Sequence, residues 1–279
     1  MTMPDWALDL TDLHTHAAPS LLPRHGDDRE TVAAEQAVGF TTVVLKAHEG
    51  STVERAAAAG GSAAGVYGGI VLNSPVGGAN PDAVEVAARL GGRVVWMPTV
   101  SARTHKAGAA SPELSVHRGF ELHAVDVVAD GLLLPGWYDV LDVVAEHDLL
   151  LASGHLSADE TVVLFREAAR RGVRRLMVNH PKMAFLHWHA EAAATLQQLG
   201  AHLELGILPD LLGDPEHASL TLTHTYPTSL LVFGGDLGHA HHDPPATAVG
   251  PWLHALENHV GTDTAVAIMT TQTRSLLLP

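Results

Sequence analysis

Three histidines and one aspartate, His14, His155, His180 and Asp236, close four short apolar runs: LDLTDLHTH, LLLASGH, LMVNH and LLVFGGD. Runs of this composition and length read as β-strands. His16 shares a strand face with His14, because residues i and i+2 of a strand point the same way. Imidazole nitrogen and carboxylate oxygen are ordinary donors for zinc and similar divalent ions. If the strands are parallel neighbours, these groups converge at one end of a sheet. The pattern is therefore that of a metal centre assembled from four distant parts of the chain.

Spacing alone does not establish it. The chain has 20 histidines in 279 residues, a density at which about one His-x-His pair arises by accident. Three occur, at 14/16, 187/189 and 239/241. The first is singled out by its place at a strand's end. Cysteine is absent, so a disulfide framework and a thiolate metal site are both excluded. A metal must be held by His, Asp, Glu or a modified Lys.

The elements that must position these residues alternate regularly. Strands are expected at 8–14, 41–47, 66–72, 93–99, 149–154, 175–179, 201–206 and 230–235. Helices are expected near 28–38, 51–60, 81–90, 137–147, 158–171, 190–199 and 246–259, with a weak one at 215–220. Gly39, Gly91-Gly92, Gly172 and Gly200 each stand between a helix pattern and the next strand pattern, as helix C-terminal glycines do. Ser157-Ala-Asp-Glu160 forms a capping box directly after His155. Alternating strands and helices imply βαβ units and a parallel sheet. Eight units in a chain of 279 residues fit a (β/α)8 TIM barrel over residues 1–279, one domain, whose strand-end loops form the active face. No G-x-G-x-x-G follows the first strand, which argues against a dinucleotide-binding sheet. Residues 101–136 break the spacing, with a hairpin insertion after strand 4 expected around Ala129-Asp130-Gly131.

The net charge of −15 argues against nucleic acid or an anionic membrane as partner. No apolar run reaches the about eighteen residues that span a bilayer. The N-terminal MTMPDWALDL lacks the basic and apolar regions of a secretory signal, so a cytoplasmic location is expected. There is no G-x-S-x-G elbow for serine nucleophile chemistry.

The motifs DLHTH, GHLS, VNHP and GGDLG on successive strands resemble the amidohydrolase superfamily of metal-dependent hydrolases. There an HxH motif ends strand one, single histidines end strands five and six, and an aspartate ends strand eight. The runs DLHTHAAPS, VVLKAHEGST and GGIVLN resemble, more closely, a bacterial group of amidohydrolase-like proteins with no settled substrate. The resemblance covers essentially the whole chain. It implies His14, His16 and His155 as metal ligands, His180 as a ligand or a polarising group, and Asp236 as ligand, general base or both. It implies a divalent ion, Zn2+ first, with Mn2+, Fe2+ or Ni2+ as alternatives, in one or two copies.

One departure matters. Binuclear members carry a carboxylated lysine or a glutamate bridging two ions, on a strand in the middle of the barrel. Strand four here, RVVWMPT, offers neither. The substitutes are Lys46, as a carboxylated bridge or as an ammonium that holds an anionic substrate, His48 on the same strand face, and Glu204 on strand seven. Arg24, His105 and His239 are candidate substrate contacts after strands one, four and eight.

The function expected is hydrolysis of a C–N bond, as in an amide, lactam or cyclic imide, of a small molecule, an anionic one if Arg24 or Lys46 clamps it. The alternatives are a PHP-type phosphoesterase, a one-metal decarboxylase or other lyase of the same superfamily, and a metal-binding protein without turnover. A homodimer or higher homo-oligomer is expected from the resemblance.

Overall fold

The computed structural model describes residues 2–278 except 112–113, 115–116, 118–121 and 213–217. The strands in chain order are β1 (Leu10–His16), β2 (Phe40–Lys46), β3 (Val66–Val71), β4 (Val94–Trp96) and β5 (Val128–Ala129). They continue with β6 (Leu132–Leu133), β7 (Leu150–Ala152), β8 (Arg175–Val178), β9 (His202–Leu205) and β10 (Leu231–Phe233). Eight of them form one sheet in the order β1-β2-β3-β4-β7-β8-β9-β10, and each adjacent pair is parallel. The segment after β10 returns to β1: the Asp236 N–H donates to the His14 carbonyl at 2.7 Å and the His16 N–H to the Leu237 carbonyl at 2.9 Å. The sheet is thus nearly closed, and the fold is the (β/α)8 TIM barrel.

The principal helices follow the strands: α1 (Asp28–Ala37), α2 (Val53–Ala58), α3 (Pro81–Arg89), α4 (Arg103–Ala107), α5 (Gly136–Glu146) and α6 (Ala158–Arg170). After them come α7 (Ala190–Gln198), α8 (Ile207–Leu211), α9 (Pro245–Val260), α10 (Thr262–Ala267) and α11 (Thr273–Leu277). Ser157 caps α6 through a reciprocal box with Glu160, so the helix starts immediately past His155. Part of the expected helix at 215–220 lies outside the described residues; on either side stand α8 and a 3-10 turn at Ser219–His224. Strands β5 and β6 pair antiparallel across Asp130 and Gly131, whose φ values of 51° and 74° are those of a tight hairpin turn.

Apolar side chains fill two regions. One lies between barrel and helices. The other lies inside the barrel and contains Leu13, Val44, Val71, Trp96, Met177 and Val232, with Leu276 and Leu277 of α11 packed against them. Inward residues nearer the strand C-termini are polar.

The first strand departs from simple alternation. Asp12 pairs with Val43 and Thr15 with Leu45, so three steps on β1 face two on β2. This is a bulge of one residue. Leu13 packs inside the barrel, whereas Thr15 Oγ1 bonds Glu35 of α1 on the outside at 3.3 Å. Without the bulge, His14 and His16 would share the parity of Leu10, which packs in the outer core. The Asp12 carboxylate holds the bulge: its Oδ1 accepts the His14 N–H at 2.7 Å and the Gly235 N–H at 3.0 Å. Asp12→Ala leaves two buried donors unpaired and should cost about 2–4 kcal/mol, while Asp12→Asn keeps an acceptor and should cost clearly less. Urea unfolding of the two variants checks this; equal losses would remove the bulge-holding role.

Candidate metal centre and active site

The bulge delivers His14 and His16 to the barrel mouth with their Nε2 atoms 3.3 Å apart. Asp236 Oδ1 lies 3.1 Å from each. Donors about 2.0–2.1 Å from a tetrahedral ion are about 3.3 Å from one another, so the three atoms are spaced as ligands of one cation. All three residues are buried, and among the described residues this is the one such group of three. The opposite edges of the rings support the same reading. His14 Nδ1 faces Glu204 Oε1 at 3.0 Å, and His16 Nδ1 faces the Lys46 carbonyl at 3.1 Å. Each ring that donates from Nδ1 presents the Nε2 lone pair to the centre.

Backbone geometry aims the remaining groups. Asp236 has φ 52° and His180 φ 26°, values that non-glycine residues adopt only when the surroundings hold them there. The Asp236 amide is held by the bond to His14, and the His180 amide donates to Glu204 Oε2 at 2.8 Å. Asn179 donates to both Glu204 oxygens at 3.1 and 3.2 Å and its Oδ1 accepts the Gly154 N–H at 2.9 Å. A Cβ on Gly234 would come 2.3 Å from Glu204 Oε1 and 2.9 Å from the His14 Cβ. The two glycines before Asp236 thus leave room for a buried carboxylate and for strand closure.

A second rank of imidazoles stands beside the triad. His180 has its ring 5.9 Å from that of His14 and 5.0 Å from that of His155. His155 is not among the converging donors: its Nδ1 is 2.7 Å from His105 Nδ1, and the two rings stack at 4.8 Å. His48 lies 5.0 Å from His16 and bonds Thr99 Oγ1 through Nδ1 at 2.9 Å. Lys46 Nζ lies 2.9 Å from His14 Nε2 and 5.8 Å over the Trp96 ring. His239 is buried, 5.7 Å from His16. Lys46, His48, His155, His180 and His239 line one pocket, together with Asp236, His117, His242 and an apolar set.

Two expected contacts take other places. Arg24 lies against the Nδ1 edge of His16 at 3.3 Å, the side turned from the triad, and is not among the pocket-lining residues. His105 stands behind His155 and does not line the pocket either. Glu204, a candidate bridge by sequence, faces the Nδ1 side of His14 and so orients a ligand. The 187/189 pair belongs elsewhere: His187 is exposed, and His189 caps α7 by accepting the Ala192 N–H. The sequence reading missed His117, whose ring nitrogens are buried without a hydrogen-bond partner, because nothing local distinguishes it from the other histidines. It also missed Asp12 and Asn179, though both sit inside motifs that had been singled out.

Burial and charge set the protonation. Burial alone would raise the Asp236 carboxyl, but His14 and His16 hold it well below the usual carboxylate range. Burial likewise pushes against the charged His14, yet the Asp236 and Glu204 carboxylates prevail and raise it to about 9. Lys46 is lowered to about 8, by burial first. The outer imidazoles go down: burial brings His105 and His180 to about 4 and His239 to about 3.

The fold is a (β/α)8 barrel with buried imidazoles and carboxylates gathered at its mouth. Residues 9–204 match the model of a family of unknown function, DUF6282, and the chain belongs to that family. Solved structures that share the fold include an amidohydrolase from Pseudomonas aeruginosa, at 13% identity and TM-score 0.67, over 98% of this chain and 96% of that one. A TatD homologue from Escherichia coli K12 aligns at 14% identity and TM-score 0.62, over 98% of this chain and 100% of that one. An uncharacterised TIM-barrel protein from Bordetella bronchiseptica aligns at 13% identity and TM-score 0.55, over 89% and 80%. At such identities the likeness is one of fold. No curated protein matches the chain. No helix among the described residues is long and apolar enough to cross a membrane.

Two outcomes follow for the protein without metal and for its assembly with one. An imidazole with a depressed folded pKa costs nothing above about pH 6.5 and destabilises as pH falls toward its folded value, because the unfolded chain takes the proton first. Each of His105, His180 and His239 should cost about 2 kcal/mol by about pH 5. His14 acts in the opposite sense, its benefit present below about pH 6.5 and lost through about pH 9, but it is outnumbered. The urea midpoint of metal-stripped protein should therefore drop between about pH 7.5 and 5, and a flat profile would contradict the buried-neutral assignment. Separately, Glu204→Gln should weaken divalent-ion affinity by about 10–100-fold with the three ligands intact, read by chelator competition.

Proposed function

We propose that the protein is a metal-dependent hydrolase of small molecules that cleaves a C–N bond in an amide, lactam or cyclic imide. The observation that carries this is the convergence of His14 Nε2, His16 Nε2 and Asp236 Oδ1 at the mouth of the barrel. These three residues would hold the ion, with His180, His155 and His48 in reach of the same pocket wall. The donor set of two imidazoles and a carboxylate suits Zn2+, with Mn2+, Fe2+ and Ni2+ as alternatives. Such an ion supplies Lewis acidity, which makes water nucleophilic near neutrality and polarises a carbonyl oxygen.

The chain's own groups do the rest. Asp236, charged and held in place by its amide, accepts a proton from the attacking water and returns it to the leaving nitrogen. His180, whose Nδ1 is buried without a hydrogen-bond partner, is placed to bond the substrate's oxygen or leaving group. Lys46 has its amine brought toward neutrality by burial, the state in which a lysine can be carboxylated, and is the candidate for a bridge to a second ion. A one-ion lyase is the second reading, favoured by the single three-donor group among the described residues.

The test loads the protein with one metal at a time, counts ions per chain, and screens amides, lactams, imides, esters and phosphoesters. Turnover of a C–N substrate is expected, with Asp236→Asn lowering kcat by about 10²–10⁴-fold beyond any loss of metal. A metal-loaded wild type inert on the whole panel would end the hydrolase reading. Release of carbon dioxide from a carboxylic acid would turn it toward the lyase.

A further inference from the structure

The pocket above the triad has two unlike walls. One carries the histidines, Lys46 and Asp236; the other is built from Leu114, Met183, Phe185, Leu208 and Leu212. These apolar side chains come from three separate places: Leu114 from the insertion after β4, Met183 and Phe185 from the loop after β8, and Leu208 and Leu212 from α8 and its end after β9. Four of them pack together with Leu186, and Leu212 lies against them. Phe185 also sets its edge toward the rings of His105 and His155, at 5.7 and 5.4 Å, which ties the wall to the second rank of imidazoles.

Among the described residues, the charged groups lining this pocket are Lys46 and Asp236, apart from imidazole. Both belong to the metal end. Arg24, the cation best placed by sequence to clamp an anion, lies outside the lining. An apolar wall facing a few fixed polar groups is the composition of a pocket that orients a small ligand by its hydrocarbon part. A carboxylate or phosphate lodged against that wall would lose hydration without finding a partner.

Resting on the metal-hydrolase reading, we propose that the substrates are small neutral amides, lactams or imides bearing an aryl or branched alkyl group beside the scissile carbonyl. That group seats against Phe185, Met183 and Leu208, with Leu114 and Leu212 at its flanks. The wall thereby selects substrates by apolar bulk and rejects an anionic tail.

Hydroxamates with one metal-binding head and different tails test this on metal-loaded protein by titration calorimetry. Benzohydroxamate should bind about thirtyfold more tightly than acetohydroxamate, the usual worth of a buried phenyl over a methyl. Succinyl monohydroxamate, with its carboxylate tail, should gain nothing over acetohydroxamate. Phe185→Ala should reduce the benzo-to-aceto ratio to less than about fivefold. Leu212→Asp, at a partly exposed position, should do the same and serves if the Phe185 variant does not fold. A ratio near one in wild type, or tightest binding by the succinyl compound, would overturn the substrate class while leaving the metal reading intact. Failure of every hydroxamate to bind protein shown to hold its metal would overturn the substrate class and the hydrolase reading together, since a catalytic ion keeps a position open to a ligand.

Discussion

The site hangs on one buried carboxylate. Glu204 points into the barrel from β9 and is held in its charged form against the cost of burial, chiefly by His14. It accepts from the His14 ring, the Asn179 amide and the His180 backbone. A buried charge is tolerable only when its lone pairs are met in this way. The consequence is that β1, β8 and β9 are fixed against one another through a single side chain. The orientation of the His14 ring is fixed by the same bond, so its Nε2 faces Asp236 and not the barrel floor. Gly234 belongs to this interaction, since any side chain there would occupy the carboxylate's space.

From that level the barrel interior divides. Below lie Leu13, Val44, Trp96, Met177 and Val232, with Leu276 and Leu277 packed against them. Above lie imidazoles, carboxylates and amides. Lys46, with its amine over the Trp96 ring, marks the boundary. The lower layers give the strands their stability through burial of apolar surface. The upper layer forgoes that contribution and replaces it with hydrogen bonds, which is where a barrel keeps its chemistry.

Much of this arrangement is written locally in the chain. Apolar runs, several of them preceded by glycine, locate all eight barrel strands, because strand and helix-end preferences act over a few residues. The strand-end positions of His14, His155, His180 and Asp236 follow from the same runs. What is not local was not legible. The bulge at Asp12–Thr15 changes which side of β1 faces inward, yet it shows only in the register against β2. Glu204 reads as a bridge when only its strand is known, and as an orienting group once its contact with His14 Nδ1 is seen. Arg24 has a suitable position in sequence, but the loop after β1 folds back beside His239 and places it behind His16. His117 and the apolar wall depend on loops meeting across the barrel mouth, which no periodicity encodes.

The charges at the centre then account for one another. Asp236 and Glu204 bring two negative charges into a space closed to water, and imidazoles pushed down by burial do not balance them. The cations that face them are Arg24, drawn to Asp236, and the His14 ring, held up to about 9, beside a Lys46 amine lowered to about 8. The two nitrogens are 2.9 Å apart and cannot both carry a proton between them. A divalent ion between His14, His16 and Asp236 needs that same lone pair on His14, so its binding must release the proton that now occupies it. The same carboxylates that hold the His14 proton would hold a cation bound in its place.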